Sequence, residues 1–95
     1  MHIITYKRIR EFGVKYPDSQ ASLESWYHIV RQTDYDTFSQ LRQHFSSADY
    51  VDGLIVFNIS GNKYRLIAAI HFNRKKVYIR AILTHSEYEK GQWRR

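Results

Sequence analysis

The stretch that decides the fold is Leu54-Ile55-Val56-Phe57-Asn58-Ile59-Ser60-Gly61-Asn62-Lys63-Tyr64-Arg65-Leu66-Ile67-Ala68-Ala69-Ile70-His71-Phe72-Asn73-Arg74-Lys75-Lys76-Val77-Tyr78-Ile79-Arg80-Ala81-Ile82-Leu83. It is rich in β-branched and aromatic residues and is punctuated twice, at Ser60-Gly61-Asn62 and at Asn73-Arg74. Residues 54–59, 63–72 and 76–83 therefore read as three consecutive strands. With Asn73-Arg74 as the loop, Phe72 faces Lys75, and a single register runs back from there. Tyr64, Leu66, Ala68 and Ile70 then share an apolar face with Leu83, Ala81, Ile79 and Val77. The opposite face carries Lys63, Arg65, Ile67, Ala69 and His71 beside Thr84, Ile82, Arg80, Tyr78 and Lys76. Alternation of this kind predicts an antiparallel sheet with one face in the core and one basic face open.

Before Gly53 the period lengthens to that of a helix. After a short β-prone start at His2-Ile3-Ile4-Thr5, residues 6–16 place Ile9, Phe12 and Tyr16 at helical spacing. Pro17 ends that helix, because the residue before a proline is pushed out of the α region. Asp18 or Ser19 is positioned to cap a second helix whose apolar stripe is Leu23, Trp26, Tyr27 and Val30. Residues 37–45 give a shorter third helix through Phe38, Leu41 and Phe45. Helices first and a meander afterwards predict an α+β fold, N-terminal helices packed on a small antiparallel β-sheet. No repeat, low-complexity run or linker interrupts residues 1–95, which read as one domain.

A chain of 95 residues buries roughly 60–65% of its unfolded surface, enough for one modest core. Hydrophobic residues at 43% and charged residues at 25% are globular rather than disordered proportions. No apolar run approaches the ~20 residues needed to span a membrane. The start has no basic segment followed by an apolar stretch, which predicts a cytoplasmic protein. The absence of cysteine excludes disulfides and thiolate metal sites. The five histidines, at 2, 28, 44, 71 and 85, include no pair at i, i+4, and no metal or other cofactor is expected. The net charge of +6 is segregated: residues 1–56 hold six basic against seven acidic side chains, and residues 57–95 nine against two. Clustered cations gain by displacing counterions from phosphates, so the second half suggests a surface that faces a polyanion.

The string Val56-Phe57-Asn58-Ile59-Ser60-Gly61-Asn62-Lys63-Tyr64-Arg65-Leu66-Ile67, with Val77-Tyr78-Ile79-Arg80 and Thr84-His85-Ser86-Glu87-Tyr88, resembles the HigB toxins of the RelE/ParE superfamily. The resemblance covers essentially the whole chain, including the order of helices and strands. It implies a RelE-like α+β domain acting as the toxin of a type II toxin–antitoxin system. The implied activity is an endoribonuclease, or mRNA interferase, cutting messenger at the translating ribosome. The implied partner is a HigA-type antitoxin with a helix-turn-helix domain.

Cutting RNA without a metal requires a base for the 2′-hydroxyl, positive charge for the pentavalent phosphate and a proton for the 5′-oxygen. Arg65 matches the strand arginine of the superfamily, and a guanidinium can grip two phosphate oxygens. His85 follows the last strand where relatives carry a basic or acid–base residue, and an imidazole titrates near neutral pH. Tyr88 matches a C-terminal tyrosine tied to proton transfer or base stacking. Glu87 is placed to orient His85 or to serve as the base, so three groups compete for that role. Lys63, two residues before Arg65, is a phosphate contact, and Lys75, Lys76 and Arg80 are contacts to the RNA backbone. RelE-type sites draw further lysines from the preceding strand, but Leu54–Ile59 has none. Two alternatives use the same fold: a ParE-like inhibitor that binds DNA gyrase, and a non-catalytic module that binds RNA or antitoxin.

Overall fold

A computed structural model describes residues 1–94. Its elements in chain order are β1 (His2–Ile4), α1 (Tyr6–Lys15), a 3₁₀ turn (Pro17–Ser19), α2 (Gln20–Gln32), α3 (Phe38–His44), β2 (Asp49–Val51), β3 (Leu54–Ile59), β4 (Tyr64–His71), β5 (Lys76–Thr84) and α4 (His85–Glu89). The strands form one sheet in the order β1-β5-β4-β3-β2. All neighbours are antiparallel except β1, which runs parallel to β5. The fold is α+β, as the change of period indicated. No helix among the described residues is long and apolar enough to cross a membrane.

Three helices lie on one face of the sheet. Ile9 of α1, Leu23, Trp26 and Val30 of α2 and Leu41 of α3 are buried against Phe57, Leu66, Ala68 and Val77. The helix starts differ from expectation. Asp18 and Ser19 do not cap α2 through their side chains: Ser19 Oγ donates back to the Tyr16 carbonyl, and Asp18 is taken by residues of β4 and the turn before it. Thr37 does cap α3, accepting from the Gln40 N–H at 3.2 Å.

The β2–β3 hairpin was not read from the sequence. Val51 pairs with Leu54 across Asp52-Gly53, and both turn residues have positive φ, 52° and 80°. An Asp-Gly pair favours that geometry because glycine carries no Cβ to clash there.

The β4–β5 register holds only near the turn. His71, Ile70, Ala69 and Ala68 pair with Lys76, Val77, Tyr78 and Ile79, as expected. A bulge between Ile67 and Ala68 then shifts the pairing by one, so Ile67, Leu66, Arg65 and Tyr64 face Ala81, Ile82, Leu83 and Thr84. Arg80 is the extra residue. An inserted residue reverses the alternation beyond it. Ile82, not Ala81 or Leu83, joins Leu66 on the helix side. Ala81 and Leu83 move to the other face with Ile67. That face is not open, as the alternation had suggested. Leu54, Val56 and Ile67 are buried there, covered by Tyr88 and Trp93.

Candidate active site

Arg65 is the second residue of β4, and alternation puts its side chain on this second face. It is only 8% exposed. Nη1 donates to the carbonyls of Asn62 and Tyr64, at 3.0 and 3.2 Å, which uses both of its hydrogens. Nη2 lies 3.5 Å from Nδ1 of His85. The guanidinium carbon sits 5.1 Å from the centre of the Tyr88 ring, within range of a cation–π contact. Tyr88 is itself stacked on Trp93, with centroids 5.1 Å apart and planes 12° from parallel. The indole N–H donates to the Tyr88 carbonyl at 3.0 Å. Arginine, tyrosine and tryptophan thus form a layered column over the strand.

A short helix brings His85 and Tyr88 to the arginine. Thr84 Oγ1 accepts from the Glu87 N–H at 3.2 Å, and Glu87 Oε1 accepts from the Thr84 N–H at 2.9 Å. This reciprocal cap fixes the start of α4 at the end of β5. The His85 N–H also donates to the Lys63 carbonyl at 2.9 Å, tying the helix to the turn before β4. Residues three apart share a helical face, so both His85 and Tyr88 reach Arg65. Glu87 is held in the cap through Thr84. The Thr84 backbone N–H keeps its carboxyl below the usual carboxylate range, which weakens it as a base. Glu89 takes the place expected for Glu87, with Oε1 3.3 Å from His85 Nε2.

Beside His85 lies an open depression bounded by Tyr16, Asn62, Lys63, Tyr64, Thr84 and Ser86. Its far wall is braced by Asp18. Lys63 Nζ donates to Asp18 Oδ2 and Tyr64 Oη to Oδ1, both at 2.6 Å. Those two donors, Lys63 first, pull the Asp18 carboxyl below its ordinary range. The same carboxylate, helped by burial, pushes the Tyr64 phenol up to about 12.

The other cations do not gather here. Arg80 is exposed in the bulge. Lys75 sits at the turn end of the hairpin, 2.5 Å from Asp36 Oδ1 and 3.0 Å from the Tyr35 carbonyl. Lys76 pairs with His71 at that same end, roughly 20 Å along the strand from Arg65. The basic half of the sequence is therefore not one patch. Acids from the first half, Asp18 and Asp36, engage two of its lysines. Among the described residues, no three His, Asp or Glu side chains cluster as metal ligands. Sequence reasoning missed Glu89, Trp93, Asp18 and Tyr16. Only Thr84-His85-Ser86-Glu87, a capping-box signature, gave a local signal for the helix that carries the site.

The sequence profile of HigB toxins, described as the RelE-like toxic component of a toxin–antitoxin system, matches residues 19–91. The chain belongs to the HigB toxin family. As a HigB toxin it is one half of a toxin–antitoxin system and has an antitoxin as its partner. The mRNA interferase HigB of Escherichia coli O6:H1 is 34% identical over 93 residues, covering 95% of this chain and 90% of that protein. The mRNA interferase toxin HigB of Escherichia coli K12 is 34% identical over 92 residues, 94% of this chain and 88% of that protein. The mRNA interferase HigB of Shigella flexneri matches to the same extent. The span of the family profile takes in positions 65, 85 and 88 and ends before Trp93.

Proposed function

We propose that this HigB toxin is an endoribonuclease that cuts mRNA without a metal, on messenger held by the ribosome in the cytoplasm. A HigA-type helix-turn-helix antitoxin is the partner that silences it. The observation that carries the reading is the meeting of Arg65, His85 and Tyr88 from two separate elements. A guanidinium, an imidazole and a phenol together supply what the reaction demands, and ordinary packing has no need to assemble all three. That similar proteins are mRNA interferases favours ribonuclease chemistry over a gyrase inhibitor or a non-catalytic module.

The roles follow from which atoms are free. Arg65 Nη1 is committed to carbonyls, so the phosphate meets Nη2 at the edge beside exposed His85. His85 takes the proton of the 2′-hydroxyl. The 2′-oxygen forms a bond to phosphorus as the bond from phosphorus to the 5′-oxygen breaks, leaving a 2′,3′-cyclic phosphate. Tyr88 gives its proton to the departing 5′-oxygen, and solvent returns the proton from imidazolium to phenolate. Glu89 holds the imidazole, and the Trp93 stack holds the phenol.

The test is cleavage of a defined mRNA on ribosomes by purified toxin, with the ends of the products identified. Wild type should leave a 2′,3′-cyclic phosphate and a 5′-hydroxyl, and Arg65→Ala and His85→Ala should not cut. Full activity in Arg65→Ala, or products carrying 3′-hydroxyl and 5′-phosphate ends, overturns the mechanism.

A further inference from the structure

The depression beside His85 has walls unlike its surroundings. Lys63 lines it and the Lys15 ammonium stands over the Tyr16 ring, yet two tyrosine rings form part of its wall. Tyr16 is half-buried, with its ring packed 4.6 Å from Phe12 and 5.4 Å from Tyr64. Tyr64 has its hydroxyl bound to Asp18, so it offers this space only carbon. Lys15 Nζ stands 5.6 Å from the Tyr16 ring centre. A phosphate alone gains nothing from such a floor. A nucleotide does, since every base has a flat face to stack and carries its charge at the backbone.

We propose that Tyr16 is the stacking floor of a subsite for one nucleobase of the RNA strand, next to the scissile phosphate. The reading rests on the ribonuclease assignment and adds to it where the strand runs. His85 lines both places, so a chain whose phosphate lies at Arg65 continues directly over Tyr16. Lys15 and Lys63 flank that path as contacts for neighbouring phosphates. The floor is rigid before RNA arrives. Tyr16 has left α1, with φ −126° and ψ 82°, and precedes Pro17. The 3₁₀ turn that follows is held to the start of β4 through Asp18. Stacking tolerates any base, so the subsite contributes affinity and position more than sequence preference.

The experiment uses the full chain and an mRNA held on ribosomes and blocked by 2′-O-methylation at the cut nucleotide, with 2-aminopurine placed in turn within two nucleotides of it. At one position wild-type toxin should quench the fluorescence. Tyr16→Leu keeps apolar contact with Phe12 and Tyr64 but cannot stack. It should abolish that quench and, on cleavable RNA, raise KM about tenfold or more, with the loss confined to KM. Tyr16→Phe should restore both. If wild type quenches at no position, the subsite does not exist; this readout needs no variant to fold. A folded Tyr16→Leu with wild-type quench and KM also overturns it. Arg65→Ala and His85→Ala run alongside separate the two claims. If they cut at the wild-type rate, the catalytic reading fails and the quench still decides the subsite. If they are dead while Tyr16→Leu behaves as wild type, the subsite alone falls.

Discussion

The sheet is covered on both faces, but to very different depths. On the helix side, α1, α2 and α3 close over Leu23, Val30, Leu41, Leu66 and Val77, all at 0% exposure. On the other side, Leu54, Val56 and Ile67 are covered by Tyr88 and Trp93 from α4 and the residues after it. The thick side holds the fold together with apolar burial. The thin side is where a charged side chain, Arg65, is kept nearly buried and still beside an exposed imidazole. A buried cation is tolerated only when its donors are paired. Two carbonyls and one ring nitrogen engage three of its five N–H groups without surrounding the group completely. The comparison suggests that a small domain can build a site where its cover is thinnest, leaving the thick core to bear the cost of stability.

Four comparisons break or sharpen this contrast. The largest effect should come from Leu66→Asp, which places an unpaired charge in the thick core. No cooperative unfolding transition should remain by circular dichroism in urea, and a folded variant would refute the assignment of faces. Next come the thin-side substitutions, which should cost activity far more than structure. Arg65→Ala should slow cleavage by about 10²–10³ if it steadies transition-state charge. His85→Ala should slow it by roughly 10²–10⁴ if it moves a proton, with both variants still folded by thermal denaturation.

The chain's two tryptophans give the third comparison. Trp26, 2% exposed in the thick core, should cost about 3–5 kcal/mol on replacement by alanine. Trp93, stacked on Tyr88, should cost only about 0.5–1.5 kcal/mol. Equal losses in denaturant titrations would mean that the two covers do not differ.

The smallest effect lies in pH. Asp18 is depressed by Lys63 and Tyr64, so its contribution is complete above about pH 4 and fades as pH falls through the lower folded value. Tyr64 is raised to about 12, so its share is complete below the ordinary phenol value near 10 and is lost as pH climbs beyond it. The difference in Tm between wild type and Asp18→Asn should be greatest in between and shrink at both ends. A difference that stays flat from acid to alkaline pH would remove the bridge from the account.

Much of the thick side was legible because periodicity reports burial directly. Ile9, Leu23, Trp26, Val30 and Leu66 lie where their spacing put them. The bulge was not legible, since nothing in Ile79-Arg80-Ala81 distinguishes an extra residue from an ordinary alternating one. That single residue is why Leu83 and Ala81 were assigned to the wrong face. Among the proposed site residues, Arg65, His85 and Tyr88 came from resemblance, and the structure brings them within reach of each other. Lys75 and Lys76 were grouped with them by charge alone. They lie at the turn end of the hairpin, away from Arg65, and alternation along a strand does not say which end faces the substrate. Glu89 and Trp93 lay beyond the matching motif, and their partners are visible only in three dimensions.

The bulge at Arg80 also makes the length of β5 matter more than its composition there. An exposed arginine at that point can be exchanged for almost any residue at little cost to the fold. Removing it would offer the hairpin two unsatisfactory closures. One keeps the pairing at the turn and drags Leu83, Thr84 and His85 a residue out of step with Arg65. The other keeps the site end and pulls the turn apart. The strand works like a vernier, in which one added division aligns a scale that would otherwise miss. Drift by substitution is cheap at this position, and drift by insertion or deletion is closed off.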